Sequence, residues 1–247
     1  MSGKVELPRS AVLVTFDDGC SSIFERGLPI LHHYKIPAVI FVVGHLVDST
    51  RPFWWDEVVH CIDHRQKNWS MPHENPLGTV RWLKTLQNDE RLKQISSLRD
   101  ACEVPPPARR QLSRAELREL EASGIEIGNH TLTHPCLDMC DDDTIRHELR
   151  ESQRILTEIL GKPPRYFAYP NGNVTKRVRD LVEAEGFEAA FLFDHRVQKL
   201  PIQDPMMISR LRVDASASMF RFRLITSGIH SWLYHKFRRD ERPTGPR

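Results

Sequence analysis

The chain has 247 residues, 40% hydrophobic and 28% charged, with a formal net charge of +2. That is the balance of an ordinary globular protein, long enough for one large α/β domain or two small ones. The near-neutral charge, with no long basic stripe in the body of the chain, argues against a nucleic-acid partner.

No apolar run is long enough to span a membrane, and Met1 to Pro8 lack the core of a signal peptide. The expected location is the cytoplasm. The five cysteines, an odd number, read as reduced thiols rather than a disulfide framework. Cys136 and Cys140, four apart, are weighed as zinc ligands and read as ordinary thiols.

The first element is a buried strand over Ala11-Val12-Leu13-Val14. It runs out into Thr15-Phe16-Asp17-Asp18-Gly19, where two adjacent carboxylates precede a glycine that permits a sharp turn. Adjacent carboxylates repel unless a cation sits beside them. A helix is expected from Ser22 to Tyr34, weakened at Gly27 and Pro29. A second buried strand, Ala38 to Val43, ends at Gly44. Strand, helix, strand is the βαβ rhythm of a parallel sheet.

Residues 48–112 break that rhythm. Trp54-Trp55-Asp56-Glu57 opens an amphipathic segment through Ile62, a polar stretch follows, and a helix is expected from Thr79 to Asp100. No strand is evident, so the region reads as a mainly helical insertion after the second strand, packed over one face. Trp54 and Trp55 are candidates to bind a substrate by stacking on an apolar ring face.

The rhythm resumes with a capping box at Ser113 and Glu116, a helix to Ala122, and a short strand Ile125–Gly128. Asn129-His130-Thr131-Leu132-Thr133-His134-Pro135 follows. Then come a helix from Asp141 to Leu160, a strand Tyr166–Tyr169, a turn at Pro170-Asn171-Gly172 and a helix Val174–Ala184. A strand Ala189–Phe193, a half-exposed strand Ile208–Val213 and a final helix rich in Trp232, Leu233, Tyr234 and Phe237 complete the fold. Residues 1–240 read as one domain and 241–247 as a disordered basic tail. The basic residues Lys236, Arg238, Arg239, Arg242 and Arg247 are candidates to touch an anionic membrane surface, with a solvated terminus as the alternative.

Polar residues recur just past strand ends, the rim where parallel α/β folds bind ligands. His130 and His134 can share one ion only if the segment between them is helical. On a strand they would stand about 13 Å apart, on a helical turn about 6 Å. Asp18, His130 and His134 therefore read as one divalent metal site, with Asp17 free beside it as a base. Two imidazoles and a carboxylate suit zinc, or cobalt, nickel or iron. His45 sits on the same rim as a weaker ligand candidate.

These motifs resemble the polysaccharide deacetylase family, carbohydrate esterases built on the nodulation-protein-B homology domain. Thr15–Gly19 matches its first motif, His130–His134 its second, and Phe167-Ala168-Tyr169-Pro170-Asn171-Gly172 aligns with its third. The resemblance implies a distorted (β/α) barrel of seven parallel strands. It implies metal-dependent removal of acetyl from an N-acetylhexosamine-containing glycan or glycan precursor. Asp17 would take the proton from the nucleophilic water. Asp18, His130 and His134 would hold the metal, a backbone N–H near Tyr169 would hold the oxyanion, and Pro170 would shape the substrate floor.

Two features depart from the family. Ala168 stands where the family often has an arginine that pairs with the base, so Arg210 or Arg212 is the candidate cation. No Leu-x-His supplies a general acid on the last strand; His195, His230 and His235 are weak substitutes. Two other readings remain: hydrolysis of a non-sugar amide, imide or formamide at the same site, or a weakened sugar-binding module. A module would have no need of an unliganded Asp17.

Overall fold

Five parallel strands line up in chain order: β1 (Val14–Phe16), β2 (Ala38–Val42), β3 (Glu126–Asn129), β4 (Tyr166–Ala168) and β5 (Ala189–Phe191). The structure is a computed structural model that describes residues 11–66, 72, 75–214 and 216–229. Eight α-helices are described: α1 (Leu28–Tyr34), α2 (Trp54–Asp63), α3 (Pro76–Leu83), α4 (Asn88–Asp100), α5 (Arg114–Ala122), α6 (Asp142–Leu160), α7 (Lys176–Ala184) and α8 (Met219–Thr226). The architecture is the expected distorted (β/α) barrel.

Strand β2 is its axis. All five residues are buried, and they alternate. Val39 and Phe41 face a cluster with Ala168, Ala189, Phe191 and Ile208 inside the curved sheet. Ala38, Ile40 and Val42 face Leu31, Leu117, Leu120, Leu156 and Ile159 on the outer helices. That is the side-chain period of two in a strand covered on both faces. Gly128 of β3 leaves room for Phe41, since a Cβ there would lie 2.5 Å from its ring.

The number of strands differs from the seven expected. The described sheet has five, extended by one parallel bridge between Phe191 and Ile208. Residues 209–213 do not continue the ladder because their amides are used elsewhere. Ser209 N donates to Gln198 Oε1 at 2.8 Å and Arg210 N to Asp194 Oδ1 at 3.2 Å.

Several boundaries also move. The first strand begins at Val14, and Ala11, Val12 and Leu13 are exposed, because β1 has only β2 as a partner and pairing starts at Val14 opposite Ala38. The segment Ser22–Tyr34 splits into a widened turn, Ile23–Gly27, and α1, whose first turn holds Pro29. Proline has no N–H to continue a regular helix. The helix expected over 79–100 breaks between α3 and α4, at Lys84–Gln87. Helix α8 lies upstream of the expected final helix; His230, Trp232, Leu233, Tyr234, His235, Phe237 and the basic tail lie outside the described residues.

The segment between β2 and α5 has its own apolar cluster of Val58, Cys61, Ile62, Val80, Leu83, Ile95 and Leu98. It is helical as expected, and its first helix leans on the barrel mouth through Trp54 and Trp55.

Candidate metal centre

The strands all deliver their C-terminal ends to one rim. Asp18 follows β1 in a left-handed conformation (φ 75°), and Gly19 repeats it (φ 85°). Aspartate tolerates this conformation better than most residues, and glycine does so freely. The pair of left-handed residues turns the chain straight out of the sheet.

His130 leaves β3 buried, and its Nδ1 donates to Ala168 O at 2.8 Å. A carbonyl only accepts, so this bond fixes the proton on Nδ1 and leaves the Nε2 lone pair free. That Nε2 lies 3.4 Å from Asp18 Oδ1, and His134 Nε2 lies 3.5 Å from the same oxygen. Asp18, His130 and His134 each present one ligand atom, all within 4.8 Å of one another. Two imidazoles and a carboxylate at that spacing fit a divalent ion of the zinc kind, with room for further ligands.

Burial, then the charge of His130, pushes the His134 imidazole down to about 3, so it is neutral and its lone pair is available. Burial pulls His130 down as well, but the hydrogen bond to Asp18 and the charges of Asp17 and Asp18 outweigh it and raise the group. Burial would raise Asp18; the His130 bond and the charges of His134, His130 and Arg109 bring it below the ordinary carboxylate value.

No helical turn joins the two histidines, contrary to the spacing argument. Thr131 (φ 67°) and His134 (φ 60°) are both left-handed, and the loop curls back on itself. A β-branched threonine in that conformation is strained and must be held. Thr131 N donates to Asn129 Oδ1 at 2.8 Å, and His134 N to Thr131 Oγ1 at 3.0 Å. Glu148, from the buried face of α6, accepts from Leu132 N at 2.9 Å, Thr133 N at 2.8 Å and Thr133 Oγ1 at 2.6 Å. Gly44 N and His45 N donate to Thr131 O and Leu132 O.

Glu148 and Asn129 are not among the sequence candidates. Glu148 does carry a signal: it falls on the apolar stripe of α6, between Ile145 and Leu149, where a charge needs a reason.

Asp17 stands outside the ligand group. Arg210 grips it with both arms, Nη1 to Oδ1 at 2.8 Å and Nη2 to Oδ2 at 2.9 Å. The guanidinium also donates to Thr15 Oγ1 at 3.0 Å and, through Nε, to Leu192 O at 2.7 Å. It lies over the rings of Phe41 and Phe191. Arg210 thus clips the segment after β5 to the end of β1. Arg212, the other candidate, pairs with Asp214 instead.

The remaining candidates are placed differently. Tyr169 has both of its own donors engaged: its N–H goes to Phe191 O at 3.1 Å, and its buried hydroxyl donates to Met206 O at 3.0 Å. Pro170 is buried and starts the turn, so it presents no open face to a substrate. Trp55 stacks on Phe53 and meets His134, with ring centroids 4.5 Å apart. Trp54 Nε1 donates to His134 O at 3.1 Å. Both are half-buried and brace the ligand loop. His45 is exposed and lies 3.1 Å from an Arg51 nitrogen. His195 packs against Phe193, while His230 and His235 lie outside the described residues. Cys136 and Cys140 are free buried thiols, and neither joins the ligand group.

Lys84, at the break between α3 and α4, is a further residue at the mouth that sequence reasoning missed. Its Nζ donates to Asn171 Oδ1 at 2.6 Å and stands 6.0 Å from the Trp54 ring. Across the rim, Arg109 pairs with Asp56.

The fold and rim define a (β/α)-barrel protein with a group of residues fit to hold a metal, and sequence comparison narrows the class. The polysaccharide deacetylase family model matches residues 4–190, and the chain belongs to that family. Over 78 residues it is 35% identical to chitin deacetylase 1 of Cryptococcus neoformans, covering 31% of this chain and 17% of that protein. Over 64 residues it is 30% identical to the uncharacterized protein YlxY of Bacillus subtilis, covering 26% of this chain and 20% of that protein. The matches thus span a fifth or less of these curated relatives' lengths.

Two of the solved structures that share the fold illustrate it. The Streptococcus pyogenes deacetylase PplD, in complex with acetate, matches with a TM-score of 0.59 at 17% identity, over 90% of this chain and 73% of that one. IcaB from Ammonifex degensii matches with a TM-score of 0.57 at 21% identity, over 94% and 76%. No described helix is long and apolar enough to cross a membrane.

Proposed function

We propose that the chain is a metal-dependent hydrolase that removes N-acetyl groups from an N-acetylhexosamine-containing glycan or glycan precursor. The observation that carries this is the division of labour between Asp17 and Asp18. Asp18 joins two buried histidines in a group fit for a metal, while Asp17 is left out of it and aimed by a bidentate arginine. A protein that only bound sugar would gain nothing from an oriented, unliganded carboxylate there. Family membership and the likeness to a protein named chitin deacetylase support the acetyl group and the amino sugar.

Asp18, His130 and His134 would hold the ion, with zinc the best match to the donor set. When bound, such an ion acidifies water and polarises a carbonyl. Asp17 takes the proton from the attacking water, and Arg210 sets the direction of its lone pairs. His130 is kept in the ligating tautomer by Ala168 O. Trp54 and Trp55 hold His134 in place and wall the cleft where the sugar sits. Residues 1–240 act as one catalytic domain, with the helical segment supplying one side of the cleft.

The test is acetate release from N-acetylglucosamine oligomers by the zinc-loaded chain beside Asp17→Asn. We expect the variant to keep its zinc and to lose roughly a thousandfold in kcat. Wild-type protein that binds zinc and hydrolyses no amide would overturn the proposal.

A further inference from the structure

Amide hydrolysis needs two proton transfers: one leaves the water, and one reaches the departing amine. Asp17 accounts for the first. Among the described residues, no histidine that follows a leucine on the last strand supplies the second. We propose that Lys84, brought in by the helical segment between β2 and α5, donates that second proton; this rests on the deacetylase reading above.

Lys84 is placed by contacts on two sides of the ligand loop. Its Nζ is 2.6 Å from Asn171 Oδ1, in the turn after β4, and Asn171 Nδ2 in turn reaches Cys136 Sγ, two residues past His134. Its Nζ is also 6.0 Å from the ring of Trp54, whose N–H holds His134 O. Both His134 and Asp18 feel its charge. Arg210 and Asp17 form a separate pair, after β5 and β1.

The other cations near the mouth are arginines, which keep their protons. Arg210 is bound to Asp17, Arg109 to Asp56 and Arg212 to Asp214. Arg91 is buried against Trp54 and bonded to Asn88. Lys84 differs. Its partner Asn171 is neutral, and no carboxylate among the described residues forms an ion pair with it. Burial lowers the Lys84 ammonium below the ordinary lysine value. Arg212 and Arg91 act in the same direction, against Cys136 and Asp18. An amine shifted that way gives up its proton more readily.

The step balances. Water adds to the carbonyl carbon as Asp17 takes its proton. The C–N bond breaks as a proton passes from Lys84 Nζ to the leaving nitrogen. The neutral lysine then recovers the proton held by Asp17 through solvent. The acetic acid formed gives its remaining proton to the released amine, and the products are acetate and the ammonium form of the amino sugar.

The proposal is tested with Lys84→Met and Lys84→Arg on two substrates, alongside zinc content. One substrate is the N-acetylglucosamine oligomer, whose amine must be protonated to leave. The other is 4-nitrophenyl acetate, whose phenolate leaves without a proton. For Lys84→Met we expect kcat on the amide to fall about a hundredfold, with KM within about threefold. Ester hydrolysis and zinc content stay at wild-type levels. Lys84→Arg does not rescue, because a guanidinium holds its proton. The alkaline limb of the wild-type amide pH profile is absent from both variants.

An unchanged amide rate, an equal fall on both substrates, or rescue by arginine would each overturn the role of Lys84. Wild-type protein that cleaves the ester and never the oligomer would overturn the deacetylase reading itself.

Discussion

The mouth of the barrel has two unlike walls. One is made by the strand ends: Asp17, Asp18, His130, His134 and Arg210, each close behind a strand or fixed by one. The other is made by the helical segment: Trp54, Trp55, Lys84 and Arg91, with Arg109 and Asp56 at its edge. The strand wall holds its groups by short, mostly buried hydrogen bonds with defined partners. The helical wall holds its groups by ring stacking and by single bonds such as Lys84 to Asn171, around a small separate core. The difference teaches that the group around Asp17 and Asp18 is placed by backbone register, while the wall facing it depends on how one segment packs.

The sharpest way to break this contrast is at Glu148. Its carboxylate takes three donors from the ligand loop in a buried setting. Glu148→Ala leaves two amides unpaired and should cost about 2–4 kcal/mol of stability and about ten- to hundredfold in zinc affinity. Thermal melts and a chelator competition measure both; an unchanged melt with unchanged affinity would remove Glu148 from the strand wall.

Arg210 comes next. Arg210→Met should lower kcat about ten- to hundredfold with zinc content unchanged, because Asp17 loses its aim but no ligand is touched. Loss of zinc in that variant would mean that Arg210 holds the metal group itself.

The metal should also respond to pH. Before an ion binds, His130 is raised above its ordinary value, and an imidazole must be neutral to ligate. Lowering the pH through that raised value therefore favours the protonated form and weakens zinc by up to about tenfold per pH unit. His134, pushed down to about 3, adds no such dependence above that value. Zinc titrations from mildly alkaline to mildly acidic pH check the sign; affinity rising as pH falls would contradict it.

The smallest effect belongs to the helical wall. Trp54→Phe keeps the ring and removes the N–H bonded to His134 O, at a cost of about 1 kcal/mol. The expected readout is a shift of a few degrees in melting temperature and a few-fold weaker zinc binding. A larger loss than at Glu148 would reverse the order of the two walls.

Much of the strand wall was legible in the chain. The apolar run Ala38–Val43, the acidic pair before Gly19 and the two histidines four apart each have a local chemical meaning. Arg210 was legible only as one of two candidates, since Arg210 and Arg212 share one alternating stretch and only the approach of β5 to β1 separates them. The helical turn between His130 and His134 is a wrong inference from a sound premise. The histidines do converge, but through left-handed backbone at Thr131 and His134 that no periodicity encodes. The partner of the Tyr169 N–H was not legible for a related reason: nothing local assigns it, and the sheet gives it to Phe191 O.

By itself, then, the sequence determined the parallel βα order and marked Asp17-Asp18 and His130–His134 as candidate motifs, because those follow from spacing and residue chemistry within a few positions. Only the tertiary structure decided which arginine meets Asp17, which buried carboxylate ties down the ligand loop, and that Lys84 reaches the turn after β4. Each of those pairs residues far apart in the chain, here 193, 15 or 16, and 87 positions. Contacts at that range are set by packing of whole elements, which local pattern does not carry.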